Sequence, residues 1–250
     1  MSTDFGRSLR TLRERAVGPT KSITTYGPEA YADVEPVLEA FDVEVTHEFL
    51  PISQSDSYLT VRAGDRFLGS VSTAALGELR EPAIGEPWDH ETRTSAYREL
   101  VSLLAGTSFT MDDKRQLVAS TREIEDRAWR TGSGTLYAAF QSLSAFRAQV
   151  PVYDQLAQKG ALRTVVFGAP DWEPPTMDDV TIRRDERGDI TDFWVVAFDG
   201  GGDSDQQCAL IAEEAEQGEY TGVLTYDESV VVDLTGHLSR LLEDGGLSGH

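Results

Sequence analysis

The sequence predicts an α/β protein: a mainly parallel central sheet with helices on both faces, plus an N-terminal β-hairpin. Three observations carry that expectation. In the second half, apolar runs of strand length alternate with stretches of helical period, and strands joined through helices imply crossovers and parallel neighbours. In the first half, Tyr58–Arg62 and Arg66–Ser72 flank Ala63-Gly64-Asp65, a short Gly-containing hairpin loop. The composition of the 250 residues, 40% hydrophobic and 26% charged, belongs to a chain that can bury a core.

Taken in order, residues 5–16 read as a short helix with Leu9 and Leu12 on one side. Arg7, Arg10, Arg13 and Arg15 surround it; such a cluster touches phosphate or a partner, or is simply a solvated face, and the solvated face is the default. Ser22–Tyr26 is a strand. Tyr31–Phe41 is a helix on the stripe Val34, Val37, Leu38 and Phe41. Val43–Leu50 alternates as a half-buried strand. Residues 80–90, with Pro82, Gly85 and Pro87, form a loop and the first internal boundary. They divide an N-terminal α/β portion carrying the hairpin (1–106) from a core (107–242), either as two units or as parts of one continuous domain; 243–250 is a flexible tail.

Thr92–Leu104 reads as a helix, as does Met111–Arg130, which Thr110 and Asp113 introduce in a capping-box pattern. Leu117, Thr121, Ile124 and Ala128 form one stripe of the second helix, and Trp129 is expected to be buried against the next strand. Arg122–Asp126, Glu123–Arg127 and Asp126–Arg130 are opposite-charge pairs four apart on its other faces. Then follow a strand (Thr135–Gln141), a helical stretch (Ser144–Lys159, interrupted by Pro151), a strand (Leu162–Phe167) and a Pro-rich loop (170–179). Two strands, Thr181–Arg184 and Ile190–Phe198, flank the turn at 186–189. Asp205–Gln217 is read as a helix, Tyr220–Tyr226 as a strand and Val230–Leu242 as the last helix.

Charge is the most unusual quantity. There are 43 acidic residues against 22 basic, a net charge of −21, and only Lys21, Lys114 and Lys159 are lysines. An acidic, lysine-poor chain with ordinary apolar content is what a salt-in halophile makes, because molar salt screens the self-repulsion of such a surface. Thermal midpoints are therefore expected to climb steeply with KCl; a midpoint flat from low to molar salt overturns the halophile reading. Because halophilic acidity covers the surface whatever the partner, the charge speaks only weakly against nucleic acid while offering no support for it, and no nucleic-acid partner is expected. A single cysteine excludes a disulfide framework, no apolar run reaches membrane-spanning length, and the N-terminus shows no basic segment followed by an apolar one, so the expected location is cytoplasmic.

Catalytic signatures are missing: there is no phosphate-binding loop before Lys21-Ser22, no G-x-G-x-x-G, no nucleophile elbow at Thr131–Gly134 and no metal-ligand spacing among His47, His90, His237 and His250. Cys208 would be reactive at a helix N-terminus, or inert if its apolar run is buried. The most pointed local feature is Asp199-Gly200-Gly201-Gly202-Asp203-Ser204-Asp205, directly after an apolar strand. In a doubly wound sheet ligands sit at the carboxyl ends of strands. On that topology Gln141, Gly168, Asp199, Gly200 and Gln207, the last beside the N-terminus of the 205–217 helix, line a ligand-binding rim; a flexible solvated turn is the simpler reading. No catalytic or metal-ligating residue is assigned, and no cofactor is identified.

Arg122-Glu123-Ile124-Glu125-Asp126-Arg127-Ala128-Trp129-Arg130, Gly132-x-Gly134, Phe140-Gln141, Val152-Tyr153, Phe167-Gly168-Ala169-Pro170-Asp171 and Trp194–Gly200 together resemble the DICT sensory domain family, most closely its stand-alone haloarchaeal versions. The resemblance spans about residues 107–242, with a looser match at Arg66–Val71. It implies a non-catalytic signal-input module that binds a small ligand or a signalling protein and relays a conformational change. No output motif reads in these residues, so signalling would pass through a partner or through homo-oligomerisation. Two other classes stay open: a metal-assisted small-molecule enzyme using the Asp199–Asp205 loop, and a transcription regulator using the Arg7–Arg15 helix.

Overall fold

All six residues of Phe193–Phe198 are buried. Trp194, Val196 and Phe198 enter one apolar cluster; Phe193, Val195 and Ala197 enter another. A strand covered on both faces loses the apolar/polar alternation and reads as a continuous apolar run, and this strand lies at the centre of the molecule for that reason.

The computed structural model describes residues 2–29, 38–77, 86, 88, 92–112, 114–186 and 190–244. In chain order these form α1 (Ser2–Ala16), β1 (Lys21–Gly27), β2 (Glu44–Phe49), β3 (Tyr58–Ala63), β4 (Arg66–Ser72), α2 (Thr73–Gly77), α3 (Thr92–Leu103), β5 (Ser108–Met111), α4 (Lys114–Thr131) and β6 (Ser133–Ser142). Then come α5 (Leu143–Phe146), α6 (Val150–Ala157), β7 (Ala161–Ala169), β8 (Val180–Arg184), β9 (Phe193–Phe198), β10 (Cys208–Glu216), β11 (Glu219–Thr225) and α7 (Glu228–Asp244). The expected helix over 31–41 and loop over 80–90 fall mostly outside the described residues, as do Asp113 of the capping box and residues 187–189 of the turn.

Two sheets result. The smaller has the order β2-β1-β3-β4 and contains the expected hairpin, β3 against β4 across Gly64. The larger has seven strands in the order β5-β11-β10-β9-β6-β7-β8. It is mixed, not mainly parallel: β6, β7 and β8 pair in parallel, whereas every pairing from β6 through β9, β10 and β11 to β5 is antiparallel. Helices do cover both faces. α3, α4 and α6 pack on one face, where the buried Ile23, Leu59 and Val61 of the smaller sheet join the same cluster. α1 and α7 cover the other through Leu9, Leu12, Val231, Leu234 and Leu238.

Several local expectations change. Ser108–Met111 is a strand on β11, so the following helix starts at Lys114 and not at Met111. The two strands expected around the 186–189 turn are not neighbours in the sheet: β8 is an edge strand on β7, and β9 inserts on the far side of β6. The segment read as the 205–217 helix is strand β10. Its Cys208, Leu210 and Ala212 face one cluster and Ala209 and Ile211 the other, so burial on both faces overrides the helical propensity of Ala, Glu and Gln. Trp129 is half-buried; its ring lies 4.8 Å from that of Trp88, with the Lys159 ammonium 3.7 Å over its centre.

The arginines of α1 dock the helix. Arg10 and Arg13 hold the two carboxylate oxygens of Glu213 at 2.6 and 2.8 Å, and Arg15 pairs with Asp233 of α7 at 2.7 Å. Arg10 and Arg15 nevertheless stay 47% and 44% exposed, so this face is solvated while pairing with carboxylates of its own chain.

Lys21 joins the halves: its ammonium, at the start of β1, donates to the carbonyl of Ala105 just past α3. Burial, and then the Arg66 charge, push its pKa down to about 8. With an unfolded value near ~10.4 the unfolded chain binds this proton more tightly. Folding is therefore penalised below about pH 8, and the penalty is relieved as pH rises through that value towards ~10.4. In a Cε-labelled sample of this three-lysine protein, one resonance is expected to titrate near pH 8 and to vanish in Lys21→Met. Its absence from wild type overturns the assignment.

Candidate functional site

The five residues expected to share one rim fall into two groups at opposite ends of β6. Asp199 lies beside the start of β6, where its Oδ1 accepts from Thr135 N at 2.9 Å and from Gly201 N at 3.0 Å. Gln207 Nε2 donates to the Asp199 carbonyl at 3.2 Å. Gly200, at φ 81°, closes the turn; a Cβ there would sit 2.8 Å from Gln207 Cγ. Gln141 lies at the other end of β6, six residues beyond Thr135, or about 20 Å along an extended chain. Its Nε2 donates to Glu214, and its Oε1 accepts from Tyr220 at 3.3 Å. Gly168 belongs to that end too, and lets β7 approach the start of α5: an added Cβ would meet Leu143 N at 2.8 Å.

The single rim fails for two physical reasons. β9 runs antiparallel to β6, so the carboxyl end of β9 meets the amino end of β6. And no α-helix begins at Gln207, which ends a single 3-10 turn over Ser204–Gln206 and precedes strand β10. Two of the three carboxylates of the Asp199–Asp205 loop are also engaged in making turns: Asp199 as above, and Asp203 by accepting from Asp205 N at 3.0 Å. No group of three or more His, Cys, Asp or Glu side chains placed to hold a metal ion occurs among the described residues. Cys208 is fully buried, and burial pushes its thiol pKa up, so it stays protonated and shielded.

The charged run of α4 builds a different site. Sequence spacing treats Arg122–Arg130 as surface pairs, yet Arg122, Glu123, Glu125 and Asp126 are all buried. On the α6 side, Arg122 donates to Glu125 and, at 2.6 Å, to Gln149 Oε1. Burial raises the Glu125 pKa, with Arg122 opposing. On the α3 side, Glu123 and Asp126 line a cleft of about 350 Å³ between α3 and α4, together with Arg98, Ser102 and Arg130. Arg130 Nε reaches Asp126 Oδ2 at 2.9 Å, and Arg98 Nη1 stands 3.5 Å from Oδ1. Glu123 Oε1 accepts from Arg127 Nε at 2.8 Å and from the Tyr226 hydroxyl at 3.3 Å. That hydroxyl also lies 3.0 Å from Ser102 Oγ, whose own O–H can donate to it, and the Arg127 guanidinium lies 4.4 Å over the Tyr226 ring while reaching the Asp205 carbonyl at 3.2 Å. Burial and the Glu123 charge raise the Tyr226 pKa, so the phenol remains a donor.

The cleft thus meets α3, α4, the end of β11 and the Asp205 turn through named hydrogen bonds. Chemically it offers buried carboxylate acceptors beside arginines, an arrangement for binding polar groups. Of the three pairs expected four apart on α4, Glu123–Arg127 and Asp126–Arg130 form, and Arg122 takes Glu125 instead of Asp126.

Residues 94–215 match the family model described as the sensory domain in diguanylate cyclases and two-component systems. This stretch, just under half of the chain, is similar to the DICT domain family. The match starts inside α3 and ends inside β10, so both walls of the cleft belong to the matched stretch, while β11 and α7 lie beyond it. No curated protein matches the chain. Among solved structures, a polyphosphate kinase from Porphyromonas gingivalis is similar over 95% of this chain at 10% identity, with a TM-score of 0.39. The chain spans about half of that protein (48%), and a likeness at this level bears on neither the site nor the function of this chain. No helix among the described residues is long and apolar enough to cross a membrane.

Proposed function

We propose that this chain is a cytoplasmic, non-catalytic signal-input protein of the stand-alone haloarchaeal type, which binds a small ligand or a signalling partner and relays a conformational change. The match of residues 94–215 to a sensory-domain model carries the reading. The charge of −21 with three lysines supports the halophilic part. The placement of charge inside α4 suits a relay. Its buried side chains tie one rigid helix to α3 through Arg98, to the segment before α6 through Gln149, and to the end of β11 through Tyr226. A ligand that moves α4 changes all three contacts at once, and a ligand shifts such an equilibrium only by its differential affinity for the two arrangements.

Native mass spectrometry of protein purified from its own host, in volatile salt, tests the reading. The expected spectrum shows a non-covalent small molecule or a protein partner, a second copy included, that is lost on denaturation. Protein that leaves its host with neither overturns it.

A further inference from the structure

We propose that β2 is a self-association edge: two copies of the chain pair through it, antiparallel about a two-fold axis at His47, and join their four-stranded sheets into one. This deepens the signal-input reading by naming a second copy as the partner, and rests on that reading only for the purpose of the pairing.

β2 ends its sheet, with β1 on one side and, among the described residues, no strand on the other. All six of its residues, Glu44–Phe49, are exposed. The other sheet edges are covered or blunted. β5 is bordered by Ala40–Asp42, through hydrogen bonds from Asp42 N to the Ser108 carbonyl and from Thr110 N to the Ala40 carbonyl. β4 is bulged between its pairings Val61–Gly69 and Arg62–Phe67, and β8 ends in Arg183 and Arg184. β2 carries no proline, lysine or bulge, the devices that keep an edge from pairing. Its apolar side chains are open as well. Val45 is 45% exposed and Phe49 69%, the most exposed large apolar side chain among the described residues.

The register follows from where the main chain points. Leu50 N donates to the Gly27 carbonyl at 2.9 Å. Main-chain groups alternate sides along a strand, so those of Glu44, Thr46 and Glu48 face β1, and those of Val45, His47 and Phe49 face outwards. An antiparallel ladder sets outward residues opposite one another, which allows two-fold axes at Thr46, His47 or Glu48. An axis at Thr46 sets Glu44 against Glu48 of the second copy, and one at Glu48 sets that residue against itself; like charges directly opposite destabilise a pair. An axis at His47 avoids both. It sets Glu48 against Thr46, and Glu44 against Leu50 just past the strand. It also sets Val45 against Phe49 twice, an aromatic and a β-branched side chain of the kind that pair well across strands. Both lie on one face of the sheet, through the register Ile23–Val45 and Gly27–Phe49. Val45 and Phe49 stand equally far to either side of His47, so this edge is complementary to itself, as a two-fold interface requires.

Six residues a side is well short of the roughly 20–30 of a standard interface, so the dimer is weak and reversible. The charge of −21 on each copy opposes it, and molar salt, with a Debye length of about 3 Å, screens that opposition.

Sedimentation velocity of the full chain in molar KCl, from about 10 µM to about 1 mM, tests the pairing. A monomer–dimer equilibrium is expected within that range. Val45→Pro is expected to weaken it about tenfold or more, since proline removes an outward N–H and is tolerated on an edge. An unchanged circular dichroism spectrum shows that the variant is folded. Mild oxidation of His47→Cys, Thr46→Cys and Glu48→Cys reads the register. The native Cys208 is buried, so the introduced thiol is the accessible one. An axis at His47 holds that position about 5.5 Å from its own copy at Cα, within disulfide reach. His47→Cys is therefore expected to cross-link about tenfold faster than the other two. A monomer across the whole range, a dimer that Val45→Pro leaves intact, or cross-linking at Thr46→Cys or Glu48→Cys as fast as at His47→Cys overturns the assignment. A monomer in solution, with a small molecule or another protein retained in the mass spectrum from the host, removes this interface alone. A β2 dimer of purified protein whose host spectrum shows a bare monomer removes the signal-input reading alone.

Discussion

Glu125→Ala is expected to cost about 3–5 kcal/mol of stability, because it leaves a buried guanidinium without its carboxylate. Arg122 is 3% exposed and Glu125 1%. The guanidinium has Glu125 and Gln149 as neutralising or accepting neighbours, and Gln149 carries no charge to offset it. Whether the intact pair stabilises the fold is a separate matter. Taking both ions out of water costs several kcal/mol each, and replacing a buried pair by apolar side chains of similar volume is often neutral or stabilising. The double variant Arg122→Met/Glu125→Leu should therefore regain most of what Glu125→Ala loses. Denaturant midpoints in molar KCl measure both. If the double variant is as unstable as the single one, the pair fixes the position of α4 against α6 by more than its own charge balance. Equal stability of Glu125→Ala and wild type would mean that water reaches Arg122 in solution.

This pair also shows where sequence reasoning stops. Phe193–Phe198, buried on both faces, was legible because an apolar run of six between turn residues has few other uses, and Leu162–Phe167 was legible from its apolar Val165–Phe167 end although Arg163 is exposed. α3 and α7 were legible from their stripes, and the hairpin from its Gly64 turn. β10 was not: Ala, Glu and Gln favour a helix in isolation, and only the two apolar layers that sandwich Cys208–Ala212 turn the segment into a strand. Strand order was equally hidden. The alternation of strands and helices suggests parallel crossovers, but β9 returns antiparallel beside β6, a choice made by sheet assembly and not by any local signal. That one reversal separates Asp199 from Gln141 and dissolves the expected rim. The cleft escaped notice because it is made by two polar helix faces meeting. Arg98 and Asp126 stand 28 positions apart, and i,i+4 charge spacing looks alike on a solvated face and on a buried one. The one sequence signal at the right place was the family likeness, whose first stretch, Arg122–Arg130, supplies the wall of the cleft.

Gly134→Ala is expected to be nearly as damaging, by roughly 2–6 kcal/mol, from two sources that add. Gly134 sits at φ 94°, a region that costs a non-glycine residue about 1–3 kcal/mol. Its missing side chain is also where β6 and the turn after β9 touch: a Cβ would lie 2.4 Å from Asp199 Oδ1 and 2.5 Å from Gly201 Cα. The contact is mutual, since a Cβ on Gly201 would lie 2.6 Å from the Ser133 carbonyl. Forcing one carbon into such a joint costs about 1–3 kcal/mol more as the backbones part. Parting them also stretches the two hydrogen bonds that Asp199 Oδ1 accepts, from Thr135 N and Gly201 N. Gly64→Ala is the control. It has a positive φ, 56°, but nothing within 4 Å of the added carbon, so it should show the backbone cost alone, about 1–2 kcal/mol. The difference between the two variants in denaturant midpoint isolates the collision. A Gly134→Ala variant no less stable than Gly64→Ala would mean that the Gly200–Gly202 turn can swing clear of β6 at little cost. The Asp199 loop would then be a moving part rather than the fixed seam that its hydrogen bonds describe.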